Sequence, residues 1–293
     1  MMKTILKIIG GLLALVVLAV VSALFWSSSK TSAAMAKRYE KPRLGIREAV
    51  SSAPVELGQR IVDIRNACSD CHGKDLGGFT FANDGFVGKL QGPNITSAAL
   101  KDWSDDEIAV AIRYGIGRDG RPLIMMPAHD YQHMAKEDLA AVIAYLRTVP
   151  AVDRKIGPPE LGPGAKLLYA AGKLPTLLPV ELVDHSRGFA QKPVEDATAE
   201  FGQYLAVTAC AGCHGSEYKG GPVPGAPPDW APASSLRLGA DARWTQASFT
   251  QTMRSGKSAL DGHDLRMPMP VELAKKMSDA EVGALWSYLS TLK

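Results

Sequence analysis

The distribution of apolar and polar positions divides the chain into five stretches. Ile8 to Trp26 runs for nineteen residues without a charge, behind Lys3 and Lys7. A secretory signal core spans roughly 7–15 residues and a bilayer-crossing helix needs about 20, so the run predicts a retained membrane anchor over 1–30. Val21-Ser22-Ala23 keeps a cleavable signal peptide open as the alternative. Residues 31–52 are small, polar and aperiodic and read as a linker. Helical periodicity follows in two places: Leu139, Val142, Ile143 and Leu146 share one helix face, and Val282, Leu285, Trp286 and Leu289 share another. Ser104-Asp105-Asp106-Glu107 and Ser278-Asp279-Ala280-Glu281 have the pattern of capping boxes, and the corresponding first-half segment, Ala135-Lys136-Glu137-Asp138, lacks the hydroxyl. Between the two periodic regions, Pro150 to Pro163 reads as an extended spacer. Ala165 to Val183 is too apolar to be free and too short and Pro-broken to span a bilayer, so it is expected to pack. The pattern predicts a mainly α chain with units at 53–150 and 196–293 and a segment at 151–195 between them.

The two units align with each other. Gly58 pairs with Gly202, Trp103 with Trp244, Arg113 with Arg254 and Gly115 with Gly256, the last two at offsets of ten and twelve residues from the tryptophan in both copies. Met126-Pro127 pairs with Met269-Pro270, and Met134 and Met277 stand eight residues past those methionines. Matching offsets indicate one supersecondary plan used twice.

The chain has four cysteines, and all of them fall in one repeated pentapeptide: Cys68-Ser69-Asp70-Cys71-His72 and Cys210-Ala211-Gly212-Cys213-His214. A zinc or thioredoxin-like pair does not require histidine after the second thiol; covalent haem attachment does, with two thioethers on the porphyrin and imidazole on the iron. The pattern predicts two covalently bound haem c groups, with His72 and His214 each taking one axial position. For the opposite position Met126 and Met269 are the paired candidates, with Met125 and Met267 as competitors and Met134 and Met277 read as core. Proline after each candidate stiffens the loop that would present its sulfur. His129, His133 and His263 have no repeat partner and read as loop or surface residues, and His185 lies in the segment between the units. Trp103, Trp244, Arg113 and Arg254 are candidate donors to haem propionates, against the plainer reading of core aromatics and a solvated helix face. Charge adds one correction: residues 1–45 carry a net +6 and the remainder a net −3, so the overall +3 belongs to the anchor region and does not suggest nucleic acid.

Each half resembles a class I c-type cytochrome: a first helix bearing a glycine, C-x-x-C-H, a Met-Pro loop, and a last helix bearing an aromatic, here Tyr145 and Tyr288. The resemblance covers residues 53–150 and 196–293. It implies export of the haem domains to the periplasmic face of a bacterial inner membrane, and a proline carbonyl that receives the proximal histidine's N–H, with Pro93 in that position and Pro232 more loosely so. The anchored pair is similar to cytochrome subunits of membrane-bound dehydrogenases, although those usually carry three haem motifs. The implied function is single-electron transfer between redox protein partners, with no substrate chemistry of the chain's own. A di-haem peroxidase with one open iron position is the alternative from another class, and the methionine in each repeat discriminates between them.

Overall fold

The computed structural model describes residues 2–293 apart from 224, 225, 227–229 and 267–268. The helix α1 (Met2–Ala36) contains the apolar run, none of it buried in the protein, and is long and apolar enough to cross a membrane. It does not stop where that run stops. Ser27 and Thr31 are buried, and Ala34 and Met35 pack into a hydrophobic cluster with the segment joining the two domains. The linker reading of 31–52 is therefore corrected. The small side chains of Ser27, Thr31 and Ala34, spaced four and three apart, lie on one helix face and allow another element to approach closely. Tyr39 N–H donates to Gly120 O at 2.9 Å, Ile46 is fully buried, and α2 (Arg47–Ser51) packs on the first domain, so the stretch before Ala53 is fixed against it.

In the first domain α3 (Val55–Arg60) runs through a π-helical turn, Ile61–Arg65, toward α4 (Cys68–His72). A hairpin of β1 (Phe79–Asp84) and β2 (Gly88–Gly92) follows, then α5 (Ser97–Leu100), α6 (Asp105–Tyr114), α7 (Ala128–Tyr131) and α8 (Lys136–Thr148). The joining segment adds β3 (Glu160–Leu161) antiparallel to β2, then α9 (Pro163–Ala170) and two short 3-10 turns. Leu174, Leu177, Leu178 and Val180 of this segment are buried. The second domain has α10 (Ala199–Leu205), the π-helical turn Ala206–Cys210, α11 (Ala211–His214), α12 (Gln246–Ser255), α13 (Val271–Ala274) and α14 (Asp279–Leu289). The chain is mainly helical, and the hairpin is an addition that the sequence pattern did not announce.

Each domain is built on a crossing of its first and last helices. A Cβ on Gly58 would stand 1.9 Å from Ala141 O, and one on Gly202 would stand 1.9 Å from Ala284 O. Only hydrogen fits at either contact, and the next neighbour is the aromatic of the last helix, Tyr145 or Tyr288. Ser104 and Ser278 both form the complete capping box, and Thr245 with Ser248 forms a third. Ala135 has no capping hydroxyl, and the other domain satisfies its backbone N–H instead: Tyr204 Oη accepts from Ala135 N (3.1 Å) and donates to Asp138 Oδ2 (2.7 Å).

The domains pack reciprocally. The helix after Met126-Pro127, α7, lies on the π-helical turn of the second domain, while the helix after Met269-Pro270, α13, lies on that of the first. A buried charge cluster joins them. Arg65 Nε donates to Glu281 Oε1 (2.6 Å) and its Nη2 to Glu195 Oε2 (2.5 Å); Arg60 also bonds Glu281, and Lys192 bridges Asp138 (2.8 Å) and Glu195 (3.2 Å). Three cations meet three carboxylates, which is the condition for burying such a group.

Candidate functional site

The first Cys-x-x-Cys-His motif lines a cavity of 860 Å³, within the range of cofactor pockets. Cys68, Cys71, His72, Pro93, Trp103, Met125, Met126 and Met134 all border it. His72 is buried, and its Nδ1 lies 2.8 Å from Pro93 O. A carbonyl can only accept, so Nδ1 carries the proton and Nε2 keeps its lone pair. Burial pushes the His72 pKa below its ordinary value, against the pull of the Pro93 carbonyl, and the imidazole is neutral, the form that binds a metal. In the second domain His214 Nδ1 is held by Ser234 O at 2.7 Å. The partner is thus Ser234 and not Pro232, because the second loop reaches the ring with its carbonyl twenty residues past the histidine instead of twenty-one. His214 is also shifted downward by burial.

Burial pushes the Cys68 and Cys210 thiols each up to about 12, so as free thiols they are protonated at neutral pH. Among the described residues there is no group of three or more His, Cys, Asp and Glu able to hold a metal ion.

The two methionine loops have one geometry. Met126 O accepts from Ala128 N (2.7 Å) and Met269 O from Val271 N (2.8 Å), and Pro127 O and Pro270 O each accept the two amides that open α7 and α13. Met125 has a left-handed backbone, φ 57°, and packs with the joining segment, while Met126 packs on the core of the first domain. Met269 packs on the core of the second. Met134 belongs to the first core, Met277 lies at the margin of the second, and Met267 lies outside the described residues. A second non-glycine left-handed residue, Ala67 at φ 48°, immediately precedes Cys68; backbone held in that region gathers at functional sites.

Arg113 has no donor left for a propionate, whereas Arg254 keeps two N–H groups without an assigned acceptor among the described residues. All five N–H groups of Arg113 are occupied, by Gln132 O, Met134 O, Arg187 O, Gly188 O and Tyr114 Oη. Arg254 does the equivalent work in its own domain, donating to Lys275 O, Met277 O and Asp279. Both tie the segment after the methionine loop to the helix before it, which explains their shared offset. Trp103 borders the cavity, and Trp244 packs edge-on against Phe249 at the second core. One candidate was missed: Arg237, three residues past Ser234, has a buried Nε with no partner among the described residues, a donor available to an anion. The repeat does not single it out, because the position three past Pro93 in the first domain is Thr96. Of the unpaired histidines, His185 stacks with Tyr39 and Tyr114, and His263 bonds Asp261.

These features fit covalently held haem. Residues 199–293 match the cytochrome c family, and residues 53–146 match subunit III of cbb3-type cytochrome c oxidase. The chain is a tandem of two class I cytochrome c domains. It is also 27% identical over 176 residues to the fructose dehydrogenase cytochrome subunit of Gluconobacter japonicus, an alignment covering 56% of this chain and 34% of that protein, so the chain matches about a third of the relative's length. Cytochrome c domains carry covalent haem c and transfer electrons.

Proposed function

We propose that this is a membrane-anchored di-haem cytochrome that passes single electrons between redox partners at the periplasmic face, as a subunit of a dehydrogenase or respiratory complex. The observation that carries the reading is the doubled site: in each domain a Cys-x-x-Cys-His motif has its histidine oriented through Nδ1 by a backbone carbonyl, beside a Met-Pro loop of the same geometry. Haem bound there supplies reversible one-electron chemistry. In this reading Cys68 and Cys71 hold the first group and Cys210 and Cys213 the second. His72 and His214 would ligate the iron through Nε2, and Met126 and Met269 through sulfur. Pro93 and Ser234 would hold the imidazole planes and raise the basicity of the ligating nitrogens. Arg237 in the second domain and Trp103 in the first would offer N–H donors to a propionate.

Support for the assembly comes from the similarity to a dehydrogenase cytochrome subunit and from α1. A haem assay on the purified chain, combined with the oxidised spectrum, tests the proposal. Two haem c per chain with a sulfur–iron charge-transfer band from each is the expected result. Two haems of which one is high-spin and lacks the band would instead favour a di-haem peroxidase, and a single haem per chain would overturn the doubled site.

A further inference from the structure

We propose that the end of α9 and the turn after it form a surface that rests on anionic phospholipid, so that α1 is a rigid pedestal holding the first domain at a fixed height over the bilayer. The inference rests on the anchor reading given above and deepens it.

The apolar run of nineteen residues rises about 28 Å as a helix, close to the roughly 30 Å hydrocarbon thickness, and it ends at Trp26, a residue that favours the hydrocarbon boundary. The helix then continues without a break into its contact with α9. Lys30 Nζ donates to Ala170 O at 2.8 Å, and Thr31 Oγ1, bonded to Ser27 O at 2.8 Å, also reaches Lys166 O at 3.4 Å. Lys30 is four residues past Trp26, about 6 Å along the axis, but its Nζ turns back over the Trp26 ring, 5.5 Å from the centroid, so Ala170 O lies within the first turn beyond the hydrocarbon edge. The headgroup layer on one side is about 5–7.5 Å deep, which puts the C-terminal end of α9 within it.

The residues presented there suit that layer. Leu168 is 39% exposed, and Ala171, Gly172 and Lys173 are exposed in the turn, which is closed by Lys173 N bonding Leu168 O at 2.8 Å. Pro163 to Val180 contains Lys166 and Lys173 and no acidic residue, whereas the chain after residue 45 is net negative. An apolar side chain beside a lysine with a long stem is the pattern that seats in an anionic interface. The docking is rigid, because Ala165 and Ala170 are buried and Tyr169 Oη is bonded to both carboxylate oxygens of Glu181 at 3.0 Å. Met35, nine residues past Trp26 on the same helix, lines the first haem cavity, whose wall therefore stands about 14 Å from the hydrocarbon.

The test uses the full-length holoprotein, whose native cysteines are thioether-linked, in phosphatidylcholine vesicles with and without phosphatidylglycerol. Spin labels are placed singly at L168C, at V194C and at L13C, and their relative accessibility to oxygen and to a water-soluble nickel chelate is measured. With phosphatidylglycerol present, position 168 should be shielded from the chelate and favour oxygen, position 194 should be fully aqueous, and position 13 should lie in the hydrocarbon. Omitting phosphatidylglycerol, or adding K173E, should move the 168 label toward water. A 168 label as aqueous as 194 while 13 remains embedded would overturn the pedestal and leave the anchor standing. A 13 label exposed to the chelate would overturn both, and a 168 depth unaffected by lipid charge and by K173E would overturn the anionic assignment.

Discussion

Replacing Arg65 by methionine tests whether the buried charge cluster fixes one domain on the other. Arg65 has a side chain 4% exposed, and the carboxylate it meets, Glu281, is 1% exposed. In R65M, Glu281 keeps only Arg60, Glu195 keeps only Lys192, and the guanidinium over the Phe201 ring is lost. Removing one partner of a buried pair costs about 3–5 kcal/mol when the remaining charge is left without compensation; Arg60 and Lys192 still face the carboxylates here, so the lower end, about 3 kcal/mol, is expected. For a chain of this size that is a fall in melting temperature of about 6–12 °C. The sign with pH follows from Glu281. Burial opposes its ionisation, but hydrogen bonds from Arg60 and Arg65 outweigh that and hold its pKa below the ordinary 4.5. A lowered carboxylate contributes stability that is present above 4.5 and is lost as pH falls through its folded value. The gap between R65M and the parent should therefore be full at pH 7 and close toward pH 3. Urea unfolding followed by far-ultraviolet circular dichroism measures it, and E281Q in the R65M background, which keeps the helix cap, should recover part of the loss. A gap below about 1 kcal/mol at pH 7, or one that persists unchanged in acid, would refute the argument.

Other substitutions read the sites directly. G58A and G202A should each destabilise by at least about 1–3 kcal/mol, since the methyl would have to displace a backbone carbonyl, and separate melts of the two domains would show which crossing failed. M126A should abolish the charge-transfer band of one haem and lower its midpoint potential; an intact band would transfer the ligand to Met125. Asp130, pressed against the second Cys-x-x-Cys loop beside Gly212, is pushed up to about 7 by burial. A raised carboxylate contributes stability that is present below 3.8 and lost as pH rises through 7, with a slope of about 1.4 kcal/mol per unit in between. D130N should therefore be more stable than the parent at pH 8, and matched melts from pH 4 to 8 should show the advantage shrinking as pH falls.

Features written in one stretch of chain were legible and those made by two were not. Local hydrogen bonding sets the caps at Ser104 and Ser278, and the sequence displays them. The glycine crossings were legible because the same residue recurs at the same place in both halves. Equal offsets also misled. Arg113 and Arg254 are equivalent, but for holding main-chain carbonyls, a role set by where the loop folds back. The hairpin Phe79–Gly92 carries only a short alternation and owes its third strand to Glu160 and Leu161, far along the chain. The docking of Ser27, Thr31 and Ala34 was present as a stripe of small residues, yet the same composition also describes a loose linker.

The unequal enclosure of the two sites gives the molecule a polarity. His72 sits in a cavity walled by residues as distant as Met35, Phe81 and Pro159, and is 8% exposed, whereas among the described residues His214 is half-buried and the hydrogen bond that orients it is exposed. A low-dielectric surround penalises the more highly charged oxidised iron and raises the reduction potential. The expected order puts the first domain above the second, so that in the anchored reading proposed above the downhill direction along this chain points inward, toward the side on which α1 would enter the lipid.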